Sequence, residues 1–355
     1  MKICYFGAYN PDYARNIIIR QGLVKNGIEV VEYRVSPKLN TRTRYKELRK
    51  KFHRIKDGIS AIIVAEMNHT IMPLAYYFAK KRKVPLIFDP FISFYDSIIF
   101  DRRLVNINSL KAKKYFWLDK ISVKLADYLL SDTEEHRKYF ISAFKIKKKI
   151  FVVPVGADEK IFYPRTAEKN QDFKVVFWGK FIPLHGIEYI LKAAKILETS
   201  PEIKINLIGS GQTFNEMMSL VEKMKLRNIA FLGFVDINQL SVLMSMADIC
   251  LGIFGNTLKA KRVIPNKVYA GIAMKKPVIT GDSPAIREFF EHKKHVYLVP
   301  MANPKALAEG ILELKGNEDL REKIAENGYK IFKERFTSEK IGRLVKGILE
   351  SLIVK

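Results

Sequence analysis

The sequence predicts an α/β protein made of two successive doubly wound domains. Three observations carry that expectation. Short apolar runs alternate with helix-length amphipathic segments, the pattern of βα units around a parallel sheet. The alternation restarts after Tyr163-Pro164, and 355 residues is long for one core.

In the first half, β-branched and aromatic clusters between turn residues place strands at Lys2–Gly7, Glu29–Arg34, Ala61–Ala65, Leu86–Asp89, Tyr128–Ser131 and Ile150–Pro154. Helical periodicity places helices at Asp12–Asn26, Thr43–Arg54, Ile71–Lys83, Leu110–Ala126 and Glu134–Ala143. The second half repeats the scheme. Its strands are expected at Phe173–Trp178, Lys204–Ile208, Ile229–Leu232, Ile249–Gly252, Pro277–Thr280 and Val296–Val299. Its helices are expected at Gly186–Thr199, Thr213–Lys225, Ile237–Ala247, Val268–Met274 and Pro304–Leu314. A last helix near Ser338–Leu352 is placed to cross back onto the first domain. The expected domains are 1–165 and 166–337, with 338–355 as that returning helix. Ligands of such sheets sit beyond the carboxyl ends of the strands, and two facing domains would put the site in a cleft between them.

Composition narrows the functional classes. Hydrophobic content of 48% with 12% aromatics argues for fully globular domains. Cys4 and Cys250 make no metal spacing and read as two small buried residues of a reducing compartment. The start, M-K-I-C-Y-F-G, is too short in apolar length for a signal peptide. The apolar region 59–79 is interrupted by Glu66, Asn68 and His69, so no transmembrane helix is expected. The expected location is the cytoplasm, with a peripheral place on the inner membrane face.

Charge is strongly basic, 62 Lys+Arg against 37 Asp+Glu. Residues 1–165 hold 33 basic and 16 acidic side chains, a net +17, which leaves +8 for the rest. The excess points to an anionic partner for the first half, either nucleic acid or an anionic membrane surface. Nucleic-acid binding would interleave basic residues with exposed aromatics on one face, and no such module is visible. Membrane candidates are Arg42–Arg54, Lys80–Lys83 and Lys145–Lys149.

Several turns lie where chemistry is expected. In F-W-G-K-F-I-P-L-H-G-I, a strand ends at Trp178, Gly179 lets backbone approach a ligand, and a helix begins near Gly186. Lys180 and His185 flank this anion-ready turn. Gly209-Ser210-Gly211 and Gly233-Phe234-Val235 follow later strands. The stretch from Val263 to Glu288 reads as a loop, a short helix, a buried strand, a Gly-Asp-Ser-Pro turn and a second helix start. Its helix N-terminus beside a strand end is a natural anion site. In the first half, Gly7 to Asn10, Asn68-His69 and Asp89 to Ser97 follow strands. Asp89 or His69 could orient or deprotonate an acceptor hydroxyl. No Walker motif, no first-turn G-x-G-x-x-G and no Asp-x-Asp pair for a metal-held nucleotide sugar is present.

The order and spacing of G-K…H-G, F-L-G-F-V, I-P-N-K and P-V-I-T-G-D-S-P resemble retaining glycosyltransferases of the two-domain GT-B type, family 4. The resemblance runs over residues 1–350 and is strongest from Val175 to Glu309. It implies a nucleotide-diphosphate sugar as donor, no cofactor, no metal, and a glycan or lipid-linked hydroxyl as acceptor, in cell-surface polysaccharide synthesis. It implies that Lys180 meets the donor diphosphate, with His185 where a lysine is usual; beside it, the basic residues Lys259, Lys261, Arg262 and Lys267 could neutralise a leaving diphosphate. Backbone near Phe234 and Val235 would meet the nucleobase. Gly7, Gly179, Gly209, Arg262, Pro265 and Asn266 complete the donor-binding set. For Glu288 two roles stand open, a helix cap with Ser283 or a contact to the sugar. The family's paired acids fall at Arg262 and Ala270 here, neither of them acidic. Alternatives are a GT-B-type nucleotide-sugar epimerase and a non-catalytic GT-B-like subunit or nucleic-acid binder.

Overall fold

The structure, a computed structural model, describes residues 1–53, 58–166 and 172–353. Two compact units emerge, one from 1–156 with 337–355 and one from 157–336.

In the first unit the chain runs β1 (Lys2–Ala8), α1 (Ala14–Lys25), β2 (Glu29–Val35), α2 (Thr41–His53), β3 (Ala61–Val64), α3 (Met72–Arg82), β4 (Leu86–Phe88), α4 (Leu110–Leu125), β5 (Tyr128–Ser131), α5 (Glu134–Phe144) and β6 (Ile150–Val152). The six strands form one parallel sheet in the order β2-β1-β3-β4-β5-β6. The central strand β3, Ala-Ile-Ile-Val, is buried on both faces, which is why it reads as an unbroken apolar run. Apolar cores lie on each side. One gathers Cys4, Phe6, Ile62, Phe78, Phe88 and Phe140. The other gathers Ile3, Tyr5, Ile18, Leu23 and Ile63 with residues of the chain's last helix.

The second unit runs β7 (Phe173–Trp178), α6 (Ile187–Ile196), β8 (Ile203–Ile208), α7 (Phe214–Met224), β9 (Ile229–Gly233), α8 (Ile237–Ser245), β10 (Ile249–Leu251), α9 (Asn266–Ala273), β11 (Val278–Asp282), β12 (Tyr297–Pro300), α10 (Pro304–Gly316) and α11 (Glu318–Ile331). Its sheet is also parallel, in the order β12-β11-β10-β7-β8-β9. Read from the far edge, this is the dinucleotide-fold order 3-2-1-4-5-6, which reverses between β7 and β10.

Helix ends follow local chemistry. Thr133, Asp236 and Asn303 cap α5, α8 and α10 with side-chain oxygens. Sequence reading passed over α11, although Asn317 caps it and Glu318 and Asp319 occupy its first turn. It also expected a helix after the Gly-Asp-Ser-Pro turn. Residues 286–288 form one 3-10 turn instead, stopped by an apolar stretch that folds inward at Phe290. Of the expected basic elements, Arg54 lies outside the described residues.

The last helix, α12 (Ser338–Ile353), packs on α1 inside the first unit. The two cross at Gly22 and Gly342, whose backbones nearly touch: a Cβ on Gly342 would lie 2.0 Å from the Gly22 carbonyl carbon. Lys25 Nζ donates to Ser338 Oγ (2.7 Å), and Lys346 Nζ donates to the Asn26 carbonyl (3.1 Å). Ile341, Val345 and Leu349 deliver the apolar stripe. Gly342→Ala should therefore force the helices apart and lower unfolding stability by about 1–3 kcal/mol. Gly347→Ala, on the same helix with nothing within 4 Å, should be neutral or stabilising by up to ~1 kcal/mol. Urea unfolding of the two variants checks the contrast.

Candidate functional site

In the second unit the site builds around the reversal of strand order. β7 ends at Trp178, and Gly179 follows at φ 136°, a conformation that favours glycine. A side chain there would also crowd the site, since a Cβ would lie 3.2 Å from both His185 Cε1 and Lys267 Nζ. His185 and Lys267 are 82 residues apart in sequence and meet here, Nε2 to Nζ at 3.1 Å. The other imidazole nitrogen, Nδ1, bonds the Lys180 carbonyl. A carbonyl only accepts, so Nδ1 carries the proton and Nε2 presents a lone pair to Lys267. His185 therefore holds Lys267 without repelling it. Lys267 is buried, its Nζ lies 4.6 Å from the Phe177 ring centroid, and burial holds its pKa well below the ordinary lysine value.

Two helices begin beside this cation with no side-chain cap, α6 after Gly186 and α9 after Pro265. Their first-turn N–H groups and dipoles favour an anion. Lys267 is the second residue of α9, Asn266 the first. Lys180 is exposed at the same turn. The turn after β8 is fixed by Gly209 N donating to the Gly233 carbonyl (2.7 Å). Phe234 is 90% exposed and Val235 half-buried, an apolar ledge next to that strand end. Arg262 is half-buried, its Nε donating to the Leu258 carbonyl (2.9 Å). Ala270 is buried in α9 and offers no polar atom to a ribose. Ser283 Oγ accepts from Ile286 N (3.2 Å), so the side-chain cap of the 3-10 turn comes from Ser283. Glu288 is half-buried and lines a cavity with Phe289, Asn327, Lys330 and Arg335.

In the first unit the strand order turns between β1 and β3, and the residues there are tied to one another. Ala8 N, just past Gly7, donates to Asn68 Oδ1 (2.7 Å), and Asn68 Nδ2 donates to the Glu66 carbonyl (2.8 Å). Asp89 sits at the end of β4, fully buried, and accepts from Arg15 Nε (2.7 Å). Arg15 Nη1 also donates to the Val153 and Pro154 carbonyls (2.5 and 3.0 Å), joining three elements. His69 is fully buried against Phe88 and Phe94, ring centroids 5.1 and 4.4 Å apart, and burial lowers its pKa to about 3. Asp119 Oδ1 lies 3.4 Å from its Nε2, and burial raises the Asp119 carboxyl to about 6. His69 is thus a neutral ring in this packing, and Asp89 is committed to Arg15. Neither presents solvent-exposed surface to an acceptor, contrary to the expectation of open loop residues.

Sequence reading passed over Glu66. It stands one residue beyond the all-apolar β3, after Ala65, a carboxylate where a buried strand ends, and that juxtaposition was the available signal. Glu66 is 3% exposed, accepts from Asn16 Nδ2 (2.9 Å), and burial raises its pKa to about 8.

The comparisons agree with this architecture. The fold is that of the GT-B glycosyltransferases, two parallel six-stranded sheets with flanking helices. Residues 158–331 match the family described as glycosyl transferases group 1, and that part of the chain is a domain of this kind. An uncharacterized glycosyltransferase of Methanocaldococcus jannaschii is 26% identical over 70% of this chain and 66% of its own length. The structure of Anabaena HepE in complex with UDP and glucose superposes with a TM-score of 0.74 at 15% identity, covering 99% of this chain and 100% of that one. Sucrose-phosphate synthase from Thermosynechococcus elongatus superposes with a TM-score of 0.75 at 16% identity, covering 100% and 99%.

The raised Glu66 pKa has a stability consequence. Its folded pKa, about 8, lies above the ordinary 4.5, so the folded state binds the extra proton between those values. The stability it contributes is complete below pH 4.5 and is lost as pH rises toward 8. Glu66→Gln keeps an acceptor for Asn16 and removes the titration. Its thermal midpoint should therefore gain on wild type steadily across that window, as calorimetry at stepped pH would show.

Proposed function

We propose that the protein is a retaining, metal-independent glycosyltransferase. It takes a sugar from a nucleoside-diphosphate sugar and transfers it to a hydroxyl of a glycan or lipid-linked acceptor, in cell-surface polysaccharide or glycoconjugate synthesis. The observation that carries this reading is Lys267 Nζ against Gly179, beside two uncapped helix N-termini at the reversal of the second sheet. Diphosphate would be met there by a buried cation and backbone N–H groups, with exposed Lys180 at the rim. Phe234 and Val235 offer an apolar surface to a nucleobase. The first unit would receive the acceptor, and a peripheral position on an anionic membrane face follows from its basic excess.

The chemistry is a displacement at the anomeric carbon. Its bond to the donor phosphate oxygen breaks as the acceptor oxygen bonds on the same face, and the acceptor proton passes to a donor phosphate oxygen. Negative charge grows on the leaving diphosphate. Lys267, Lys180 and the first turns of α6 and α9 are aimed at that charge, where preorganised stabilisation is most effective. Ala270 leaves the ribose without an acidic partner, so affinity rests on the phosphates and the base. That same feature favours, as a second reading, a GT-B-like subunit without activity.

A thermal-shift panel of UDP-, GDP- and ADP-sugars distinguishes the two, with UDP-sugars tested first because HepE is seen with UDP. Stabilisation by a sugar nucleotide followed by transfer or slow hydrolysis supports the enzyme. Stabilisation by none of them overturns it. Lys267→Ala should weaken donor binding about 10- to 100-fold by losing charge-assisted hydrogen bonds. The free protein should keep or raise its thermal midpoint, since a buried cation is removed. Donor affinity should also decline as pH climbs through the lowered Lys267 pKa, because the ammonium is the binding form.

A further inference from the structure

The basic surface of the first unit is not uniform, and one helix combines charge with exposed apolar side chains. On α4 the residues Leu110, Lys114, Trp117, Ile121 and Lys124 recur at spacings of four, three, four and three, which aligns them along one stripe. Leu110 is 82% exposed, Trp117 54% and Ile121 50%. Lys111, Lys113 and Lys120 flank the stripe, and Lys120 Nζ lies 4.7 Å from the Trp117 ring centroid. Just before the helix, Leu104 and Ile107 are exposed as well, next to Arg102 and Arg103. Phe100 continues the patch through Tyr95 and Phe116.

The helix's one acidic residue faces the other way. Asp119 is buried and accepts from Ser93 Oγ (2.6 Å), Phe94 N (3.2 Å) and Tyr95 N (2.9 Å). Ser122 Oγ, on the same inner side, donates to the His69 carbonyl (2.9 Å). The outer face of α4 thus carries five lysines and no carboxylate, while the inner face holds the loops that follow β3 and β4. By contrast, α2 exposes Arg42, Lys46, Arg49, Lys50 and Lys51 with no exposed apolar residue beside them.

We propose that α4 and the 100–110 segment before it are a docking surface for an anionic lipid bilayer. Trp117, Leu110 and Ile121 would enter the headgroup boundary, and the surrounding lysines would meet lipid phosphate. Aliphatic side chains distinguish this from a nucleic-acid surface. Leu110, Ile121, Leu104 and Ile107 have no π face on which bases stack, but they partition into a membrane interface. The arrangement sets the β3 and β4 loops directly behind the lipid-facing helix, as suits a lipid-linked acceptor. The inference deepens the peripheral-membrane reading and rests on it. It is tested without any sugar nucleotide, so failure of docking and failure of transfer are separate results.

The full chain is floated with vesicles of phosphatidylcholine alone and of phosphatidylcholine with phosphatidylglycerol. Binding is expected only to the anionic vesicles, falling several-fold when salt rises from about 0.05 to 0.5 M. The double variant Trp117→Ser/Ile121→Ser should lose at least ~10-fold in partitioning, with circular dichroism and donor-induced thermal shift unchanged. In a Trp178→Phe background, the remaining Trp117 emission should shift to the blue on anionic vesicles. Binding that survives the double variant, or an unshifted Trp117, overturns the proposal. So does gel-shift binding to RNA or DNA insensitive to that variant while vesicles do not bind. A dimer in sedimentation that dissolves in the variant, again without vesicle binding, would assign the patch to self-association and overturn it too.

Discussion

Parallel pairing delivers every strand's carboxyl end to one edge of its sheet, and the polar chemistry of this chain has collected at those edges. In the first unit, Asn68, Glu66, Asp89 and Arg15 stand at or beside the ends of β1, β3, β4 and β6. In the second, Gly179, Gly209, Gly233 and the start of α9 do so. A parallel sheet buries both faces, so strands can carry almost nothing polar along their length. Polar groups that must be held by the scaffold have only the edges to occupy, and the loops there inherit the rigidity of the strands beneath them.

That placement has an energetic cost, and the two units meet it differently. In the first, Arg15 and Asp89 are both fully buried, and their mutual hydrogen bond together with two carbonyl acceptors offsets part of the lost hydration, while Arg15 Nη2 and Asp89 Oδ1 stay without a hydrogen-bond partner. Such a pair adds little net stability but makes the alternatives worse, since losing either partner strands a buried charge. It therefore fixes how α1 sits over β4 and β6. In the second, Lys267 meets a neutral imidazole and an aromatic face. A cation held by such weak partners is undersolvated, and an incoming anion relieves that deficit. On the proposed function an incoming anion would complete the Lys267 site, whereas Arg15 and Asp89 already meet each other directly.

Much of the fold was legible because it is a matter of periodicity. Among the described residues each strand falls on a short apolar run or, as in β2 and β8, on an apolar–polar mixture between turns, and Lys180, Gly179 and Lys267 lie at strand and helix ends. What remained hidden depends on tertiary contact. Nothing in a sequence pairs His185 with Lys267 across 82 residues, and the tautomer that makes the pairing favourable depends on the Lys180 carbonyl. Asp89 looked like an open loop acid because Arg15, 74 residues earlier, reads as a surface residue of an amphipathic helix. His69 looked like a catalytic base because its neighbours Phe88 and Phe94 belong to other segments. α11 differs, since its cap Asn317 and its first-turn acids Glu318 and Asp319 are local signals present in the sequence itself.

Ala270 is the position on which sequence and structure bear together. α9 is buried from Lys267 to Ala273, so a carboxylate at 270 would itself need a partner at the ligand side to offset burial. With alanine there, the helix meets no such requirement, and the single charged group it carries inward is Lys267, three residues earlier and one turn closer to its N-terminus. Cation and helix dipole then act in the same sense on an anion at that end. An acid at 270 would have pulled the local potential the other way and raised the Lys267 pKa. Its absence keeps the lysine weakly held and the potential positive, which, on the proposed function, would shift the discrimination of this site from ribose hydroxyls toward the diphosphate.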